Sequence, residues 1–360
     1  MTKGVEMFFI RGLFLFKNQI IGVPVYQKIV VSSLLFFFFF ISCSQRPQHH
    51  VKYYFVRMDT FIQATLVQKK KKKIPRFEQI MDSILIDWQE RFSQNKAGSE
   101  LLPLNQRQES TVYVSEQLGE ILEKALGYGD STGGYFDITV LPLKELWGLG
   151  EVDTIKQVPQ RDMLTKILKT IGYRGVHLHR QEKKIQFDQA ATRVDIGGIA
   201  KGFVLREIGR RLDQEGVQNY LVEAGGDIVS MGERGDGRPW LIGIRHPRKP
   251  EGLLAILDLD SGAIVTSGDY ERFWFTPEGR RVHHIFNPFT GYSCIRNQSV
   301  TIWGADPVEL DIFSTGLFCR EPEDILDFIN ARPRLQCMVI DSSGKRYVSE
   351  GWGKKIQWQD

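Results

Sequence analysis

Val194-Asp195-Ile196-Gly197-Gly198-Ile199-Ala200-Lys201-Gly202 reads as the end of a strand, a turn on two glycines and the first turn of a helix. Free N–H groups and the positive end of the helix dipole meet at such a junction and suit a phosphate. Lys201 adds a movable cation there. A glycine pair before a helix also serves as a plain turn, so the junction alone does not define a ligand. Its spacing is neither the Gly-x-Gly-x-x-Gly of a dinucleotide fold nor a P-loop. The flanking pattern also lacks a strict strand–helix–strand rhythm. That favours an α+β fold, with mixed and antiparallel sheets flanked by helices, over a doubly wound parallel sheet.

Downstream, Ala200–Glu215 is predicted helical, with Phe203, Val204, Ile208 and Leu212 on one face. Strands are predicted at 220–223, 227–231, 240–245, 253–259, 263–267, 273–276 and 299–303. Helices follow at 307–319 and 323–330, then a closing hairpin at 336–341 and 346–349. Upstream, 53–67 is rich in Tyr, Phe, Val, Ile and Thr and reads as strand. Phe77–Phe92 carries Ile80, Ile84, Trp88 and Phe92 at steps of four, one helical face. Residues 93–105 read as loop, 111–126 as a helix, 160–171 as a helix, and 175–179, 184–188 and 193–196 as short strands. Lys69–Lys73 is a run of lysines without interleaved aromatics, read as a solvated tip.

The chain has 360 residues, 47 basic against 43 acidic, and is 42% hydrophobic. Residues 1–42 hold four basic residues against one acidic, leaving 43 against 42 in the remainder. The body is therefore close to neutral, and charge makes no case for nucleic acid. Composition excludes a disordered chain, and no later apolar run approaches a bilayer span of about 20 residues. Residues 29–42, IVVSSLLFFFFFIS, lie between Lys28 and Cys43, the layout of a secretory signal. Phe40-Ile41-Ser42-Cys43 resembles a bacterial lipobox with Phe in the place of the usual Leu, which would make Cys43 the acylated mature N-terminus. The expected division is a signal over 1–42, lipidated Cys43 and a polar tether over 43–52, a body over 53–350 and a tail over 351–360. That places the body outside the cytoplasmic membrane, exported and lipid-anchored. Cys294, Cys319 and Cys337 match no zinc spacing; one disulfide or three buried thiols both fit.

Three further stretches can carry chemistry. Thr266-Ser267-Gly268-Asp269-Tyr270 precedes His283-His284-Ile285-Phe286-Asn287. Adjacent histidines on a strand point to opposite faces, so only one can face a given site, where it could work as an acid or base. Asp311 and Thr315 stand one helical turn apart amid apolar neighbours, a carboxylate and a hydroxyl suited to Mg²⁺. Ser131–Gly150 (STGGYFDITVLPLKELWGLG) combines a glycine turn, aromatics and Asp137. It reads equally as a wall for a planar ring or as core.

Taken together, these blocks resemble the ApbE-type FAD:protein FMN transferases. The resemblance rests on Ser131–Gly150, Val194–Gly202, Glu223–Asp227, Thr266–Tyr270, His284–Gly291 and Leu310–Thr315, in order, across about residues 53–350. It implies a body of two lobes with FAD between them, and transfer of FMN from FAD to a Thr or Ser hydroxyl of a partner protein with release of AMP. It implies Asp311, Thr315 and the Gly198 carbonyl as Mg²⁺ ligands. It implies Met58, Tyr135, Phe136, Asp137, Asp195, Lys201 and Ile285 as FAD contacts, and His284 and Lys201 as catalytic residues. By resemblance the acceptor is an exported flavoprotein, such as a subunit of an Rnf-type or sodium-pumping NADH:quinone reductase or an extracellular reductase. The sequence departs from the family pattern at Asp59 (Gly is usual), Asn95 (Tyr), Asn287 (Asp), Leu310 (Ala) and Ser314 (Asp in some members). Alternatives from other classes are a lipoprotein that stores FAD without turnover and a pyrophosphatase that uses water as acceptor.

Overall fold

The computed structural model describes residues 49–69, 72, 74–150, 155–352 and 356–359. The signal segment, Cys43 and most of the lysine run lie outside the described residues. From the amino end, β1 (His49–Arg57) and β2 (Thr60–Gln68) form a hairpin, followed by α1 (Pro75–Phe92) and α2 (Leu101–Asn105). Next come β3 (Thr111–Tyr113), α3 (Glu116–Ser131), α4 (Leu141–Leu146), α5 (Arg161–Leu168), β4 (Val176–His179) and β5 (Lys184–Phe187). The helix α6 (Ala200–Gln214) leads into β6 (Tyr220–Ala224), β7 (Asp227–Met231), β8 (Trp240–Arg245) and β9 (Leu253–Leu259). Then follow β10 (Gly262–Gly268), β11 (Phe273–Phe275), β12 (Arg281–His283), β13 (Asn297–Gly304), α7 (Pro307–Gly316) and α8 (Pro322–Asn330). The chain ends with β14 (Gln336–Asp341), β15 (Arg346–Val348) and β16 (Ile356–Trp358).

The central sheet has eight strands in the order β1-β2-β6-β7-β10-β13-β14-β15, with antiparallel neighbours throughout. Smaller antiparallel sheets are β16-β9-β8, β3-β5-β4 and β11-β12. The α+β expectation therefore holds. Residues 48–360 form one compact unit. Its large core includes Trp88, Phe203, Val222, Ile302 and Phe313, and a small cluster of Leu143, Trp147, Leu164, Val282 and Phe286 lies apart from it.

Several local readings shift, each for a physical reason. Residues 111–113 form a strand, not the start of a helix: Val112 pairs with Ile185, and the Ser115 side chain then caps α3 by accepting the Leu118 N–H at 3.1 Å. Residues 193–196 join no sheet. Asn105 holds both the N–H and the C=O of Val194, and the Ile138 carbonyl accepts the Asp195 N–H at 2.6 Å. In α1 the buried stripe is Met81, Leu85, Trp88 and Phe92, one position on from Ile80 and Ile84. Residues 101–105, read as loop, form α2. His49–Lys52 belong to β1, and Ile356–Trp358 pair with β9, so the ordered fold extends past both ends of 53–350. Cys294 and Cys319 are disulfide-bonded, with Cα atoms 5.0 Å apart, while Cys337 is a buried free thiol.

The β1–β2 hairpin turns on Met58 and Asp59, with φ of 53° and 54°. Both central residues are left-handed, as a type I′ turn requires, which explains why Gly is the usual residue at 59.

The seam of α6 against α7 positions the site. A Cβ on Gly202 would lie 2.5 Å from the Pro307 carbonyl oxygen and 2.7 Å from the Val308 Cα. Backbone cannot yield cheaply there, so Gly202→Ala is expected to destabilise the protein by about 3 kcal/mol. Chemical denaturation would read that as a lower midpoint at unchanged slope; an unchanged midpoint would contradict the close approach.

Candidate active site

A cleft of about 630 Å³ is lined by residues of β1–β2, α1, α4, α6, β10 and α7 and by the loops at 134–140, 195–198 and 284–286. Phe136 and Ile196 reach it from the large core and Phe286 from the small cluster, so the cleft lies between the two. All eleven cleft-type residues named from sequence line it: Met58, Tyr135, Phe136, Asp137, Asp195, Gly198, Lys201, His284, Ile285, Asp311 and Thr315.

The charged floor is built at the start of α6. Lys201 stands in its first turn and reaches Asp227 at 3.1 Å and Asp311 at 4.0 Å. Asp227 and Asp311 are almost fully buried, at 1% and 2% exposure. Asp227 also accepts the Thr266 N–H at 3.1 Å, and Asp311 accepts the Gly202 N–H at 3.0 Å. Asp227 raises the Lys201 pKa despite burial, with Asp311 adding to it, so the ammonium stays charged. Burial raises both carboxyl groups against the pull of Lys201. Two buried carboxyl groups thus share one ammonium, and burial favours a proton on the pair when no further cation is bound.

Thr315 follows Asp311 by one turn of α7. Its hydroxyl is 3.2 Å from the Ser267 hydroxyl, which donates to Ser314 Oγ at 3.0 Å. Ser314 is fully buried and donates to the Asp311 carbonyl at 3.1 Å, so its hydroxyl is spent inside the helix rather than in the cleft. A Cβ on Gly198 would sit 3.3 Å from Thr315 Cγ2 and 3.2 Å from the Phe136 ring, so glycine alone keeps this corner open without crowding. One carboxylate, one hydroxyl and an adjacent glycine segment form a hard oxygen donor set, and these residues fit a small divalent cation. Among the described residues no cluster of three His, Cys, Asp or Glu side chains forms a metal cage.

Asp195 makes a second charged node. It pairs with Lys144 and accepts from Gln94 Nε2 and from the Gly197 N–H, both at 2.8 Å. Burial alone would raise its pKa; Lys144 and the Gly197 N–H reverse this and hold it below the ordinary range. Asp137 is different. Its carboxylate accepts from the N–H and hydroxyl of Thr139 and, at 2.9 Å, from the Tyr173 N–H. Its role in the structure is to lock the 137–139 turn, and burial raises its pKa. Tyr135 meets Phe289 edge to face, with ring centroids 5.1 Å apart. Met58 donates its N–H to Gln89 Oε1 at 2.9 Å.

The paired histidines divide as alternation requires. His283 is buried and bonds the Cys294 carbonyl through Nε2 at 2.6 Å. His284 lines the cleft, and its Nδ1 is buried without a hydrogen-bond partner. Burial, then Lys144, His283, Arg272 and Lys201, hold its pKa well below the usual value of 6.5, so the ring is neutral at physiological pH. A neutral, half-buried imidazole in a cleft is a competent base.

Four residues with no role assigned above also bear on the cleft: Asp227, Lys144, Gln94 and Arg272. The Gly225-Gly226-Asp227 turn was a signal for Asp227. The partners of Lys144 and Gln94 lie 51 and 101 residues away, and no local pattern shows them.

Residues 58–339 match the ApbE family, and the chain belongs to that family. It is an enzyme, a transferase, as its curated relatives are. It is 29% identical over 317 residues to the FAD:protein FMN transferase of Escherichia coli K12, covering 85% of this chain and 90% of that one. It is 34% identical over 287 residues to the Treponema pallidum protein of the same name, covering 74% and 78%. Among solved structures, the flavin transferase ApbE from Vibrio cholerae superposes with a TM-score of 0.77 at 28% identity, covering 86% of this chain and all of that one.

Proposed function

We propose that this chain is a Mg²⁺-dependent FAD:protein FMN transferase that moves FMN from FAD to a Thr or Ser hydroxyl of an exported acceptor flavoprotein. The observation that carries the reading is the union, in one cleft, of a neutral histidine with a buried Asp227–Lys201–Asp311 charge group. A storage protein needs neither base nor cation site.

In the proposed reaction the acceptor hydroxyl oxygen attacks the FMN-side phosphorus. The bond from that phosphorus to the bridging oxygen breaks, AMP leaves with the electron pair, and His284 takes the hydroxyl proton. Asp311, Thr315 and the Gly198 carbonyl would hold Mg²⁺, which supplies charge neutralisation to the pyrophosphate. Lys201, kept charged by Asp227, sits at the same point and steadies the developing negative charge. Asp195, clamped by Lys144, Gln94 and Gly197, offers a fixed acceptor on the cleft wall for a hydroxyl or N–H of FAD. Tyr135, Phe136, Ile285 and Met58 give apolar surface for its rings.

Export and lipid anchoring at Cys43 complete the proposal. The 1–42 segment and the Cys294–Cys319 disulfide both support it, since such bonds persist in oxidising compartments. Among the described residues no helix is long and apolar enough to cross a membrane.

Incubation with FAD, Mg²⁺ and a flavinylatable acceptor domain tests the reading. The expected result is a fluorescent acceptor band on a denaturing gel, lost with chelator and restored by added Mg²⁺. Labelling that survives complete chelation would overturn the metal dependence. Bound but unchanged FAD would favour storage.

A further inference from the structure

Four cationic side chains line the cleft: Lys96, Lys144, Lys201 and Arg272. Three are committed to carboxylates: Lys96 to Glu90, Lys144 to Asp195, and Lys201 to Asp227 and Asp311. Arg272 has no carboxylate partner among the described residues. Its acidic neighbours are engaged elsewhere. Asp269 takes both guanidinium nitrogens of Arg248, at 2.7 and 2.6 Å, and Glu271 faces Arg245 at 3.6 Å. Arg272 is also placed beside the base, because its backbone carbonyl accepts the His284 N–H at 3.1 Å. Its charge reaches Asp195, Lys201 and His284.

An uncommitted guanidinium at a cleft wall retains its full set of donors, in a planar fork that matches two oxygens of one phosphate. We propose that Arg272 binds the flavin-side phosphate of the dinucleotide, holding the phosphorus under attack within reach of the hydroxyl that His284 deprotonates. The proposal rests on the FMN-transfer reading and adds to it a residue that binds the transferred group itself. The fork holds the two non-bridging oxygens while the bond to AMP breaks and the bond to the acceptor oxygen forms. Arg272 keeps its protons throughout and exchanges none with substrate.

The test compares FMN with riboflavin, which differ by that phosphate, in equilibrium flavin-fluorescence titrations with Mg²⁺ present. Wild type, Arg272→Gln and Arg272→Lys are compared, with transfer kinetics measured alongside. Arg272→Gln is expected to weaken FMN binding about 30-fold, the scale of a charge-assisted bidentate contact, and to leave riboflavin within about twofold. Arg272→Lys should restore part of the affinity, since it returns the charge without the fork. Transfer should fall in kcat/KM by at least the loss in FMN affinity. Equal losses for FMN and riboflavin would mean a merely structural residue and would overturn the proposal. So would FMN affinity within about twofold of wild type in the Gln variant, or a wild-type protein that does not prefer FMN to riboflavin. If the wild type prefers FMN and Arg272→Gln abolishes that preference, but no acceptor is labelled, the phosphate contact stands and the transfer reading is what fails.

Discussion

Asp311→Asn is expected to lower FMN transfer by about a thousand-fold while leaving the fold intact. Asparagine keeps an oxygen that can accept the Gly202 N–H, so the start of α6 stays joined to α7. Lys201 keeps Asp227 at 3.1 Å, so no buried ammonium is stranded. What disappears is one buried negative charge, which burial already disfavours. Because burial already disfavours the ionised form, a neutral isostere should cost little stability. Thermal melting should therefore move little while the rate collapses. The cation site loses the carboxylate that stands one turn from the Thr315 hydroxyl, and excess Mg²⁺ should recover little. Transfer at the wild-type rate would remove Asp311 from the chemistry.

The second large effect is at His284. His284→Gln should reduce transfer by roughly a thousand-fold, within the range that a positioned base contributes. FAD binding should change little, because the phosphate and ring contacts come from other residues. The pH dependence carries the sign. The base works when neutral, and burial with the surrounding cations holds its pKa well below 6.5. The limb that His284 contributes should thus fall below pH 6.5, as the imidazole gains its proton, apart from any limb of Asp227, whose buried carboxyl is pushed up to about 7. A His284 ring that titrates at 6.5 or above by NMR would show that it is not held neutral.

Much of this site is legible in the chain because its parts are local. Asp311 and Thr315 are one turn apart on a helix, and Gly197-Gly198 with Lys201 lie within a single strand-like entry and helix start. The histidine pair divides by simple alternation: His283 turns inward to the Cys294 carbonyl, and His284 faces the cleft. What sequence does not show is long-range. Lys201 finds its main partner in Asp227, at the start of β7, and Asp195 draws Gln94 from 101 residues away. The glycine-rich segment before α6 reads as a strand end because Val and Ile flank Asp195, yet its backbone is tied to Asn105 and Ile138 instead of a ladder. Thr111–Tyr113 merges with the helix after it by composition; only pairing with β5 separates them. Asp137 is another case of distant partners. It lines the cleft, and its carboxylate is held by Thr139 and Tyr173, the latter 36 residues away.

A single-turnover reaction with FAD, Mg²⁺ and excess acceptor domain tests the central claim most directly, with released AMP counted against FMN bound covalently to the acceptor. Equal amounts are expected, and both should vanish when the acceptor hydroxyl is replaced by a methyl group. AMP released in full with FMN free in solution, at the same rate with or without the acceptor hydroxyl, would contradict the account and make water the acceptor.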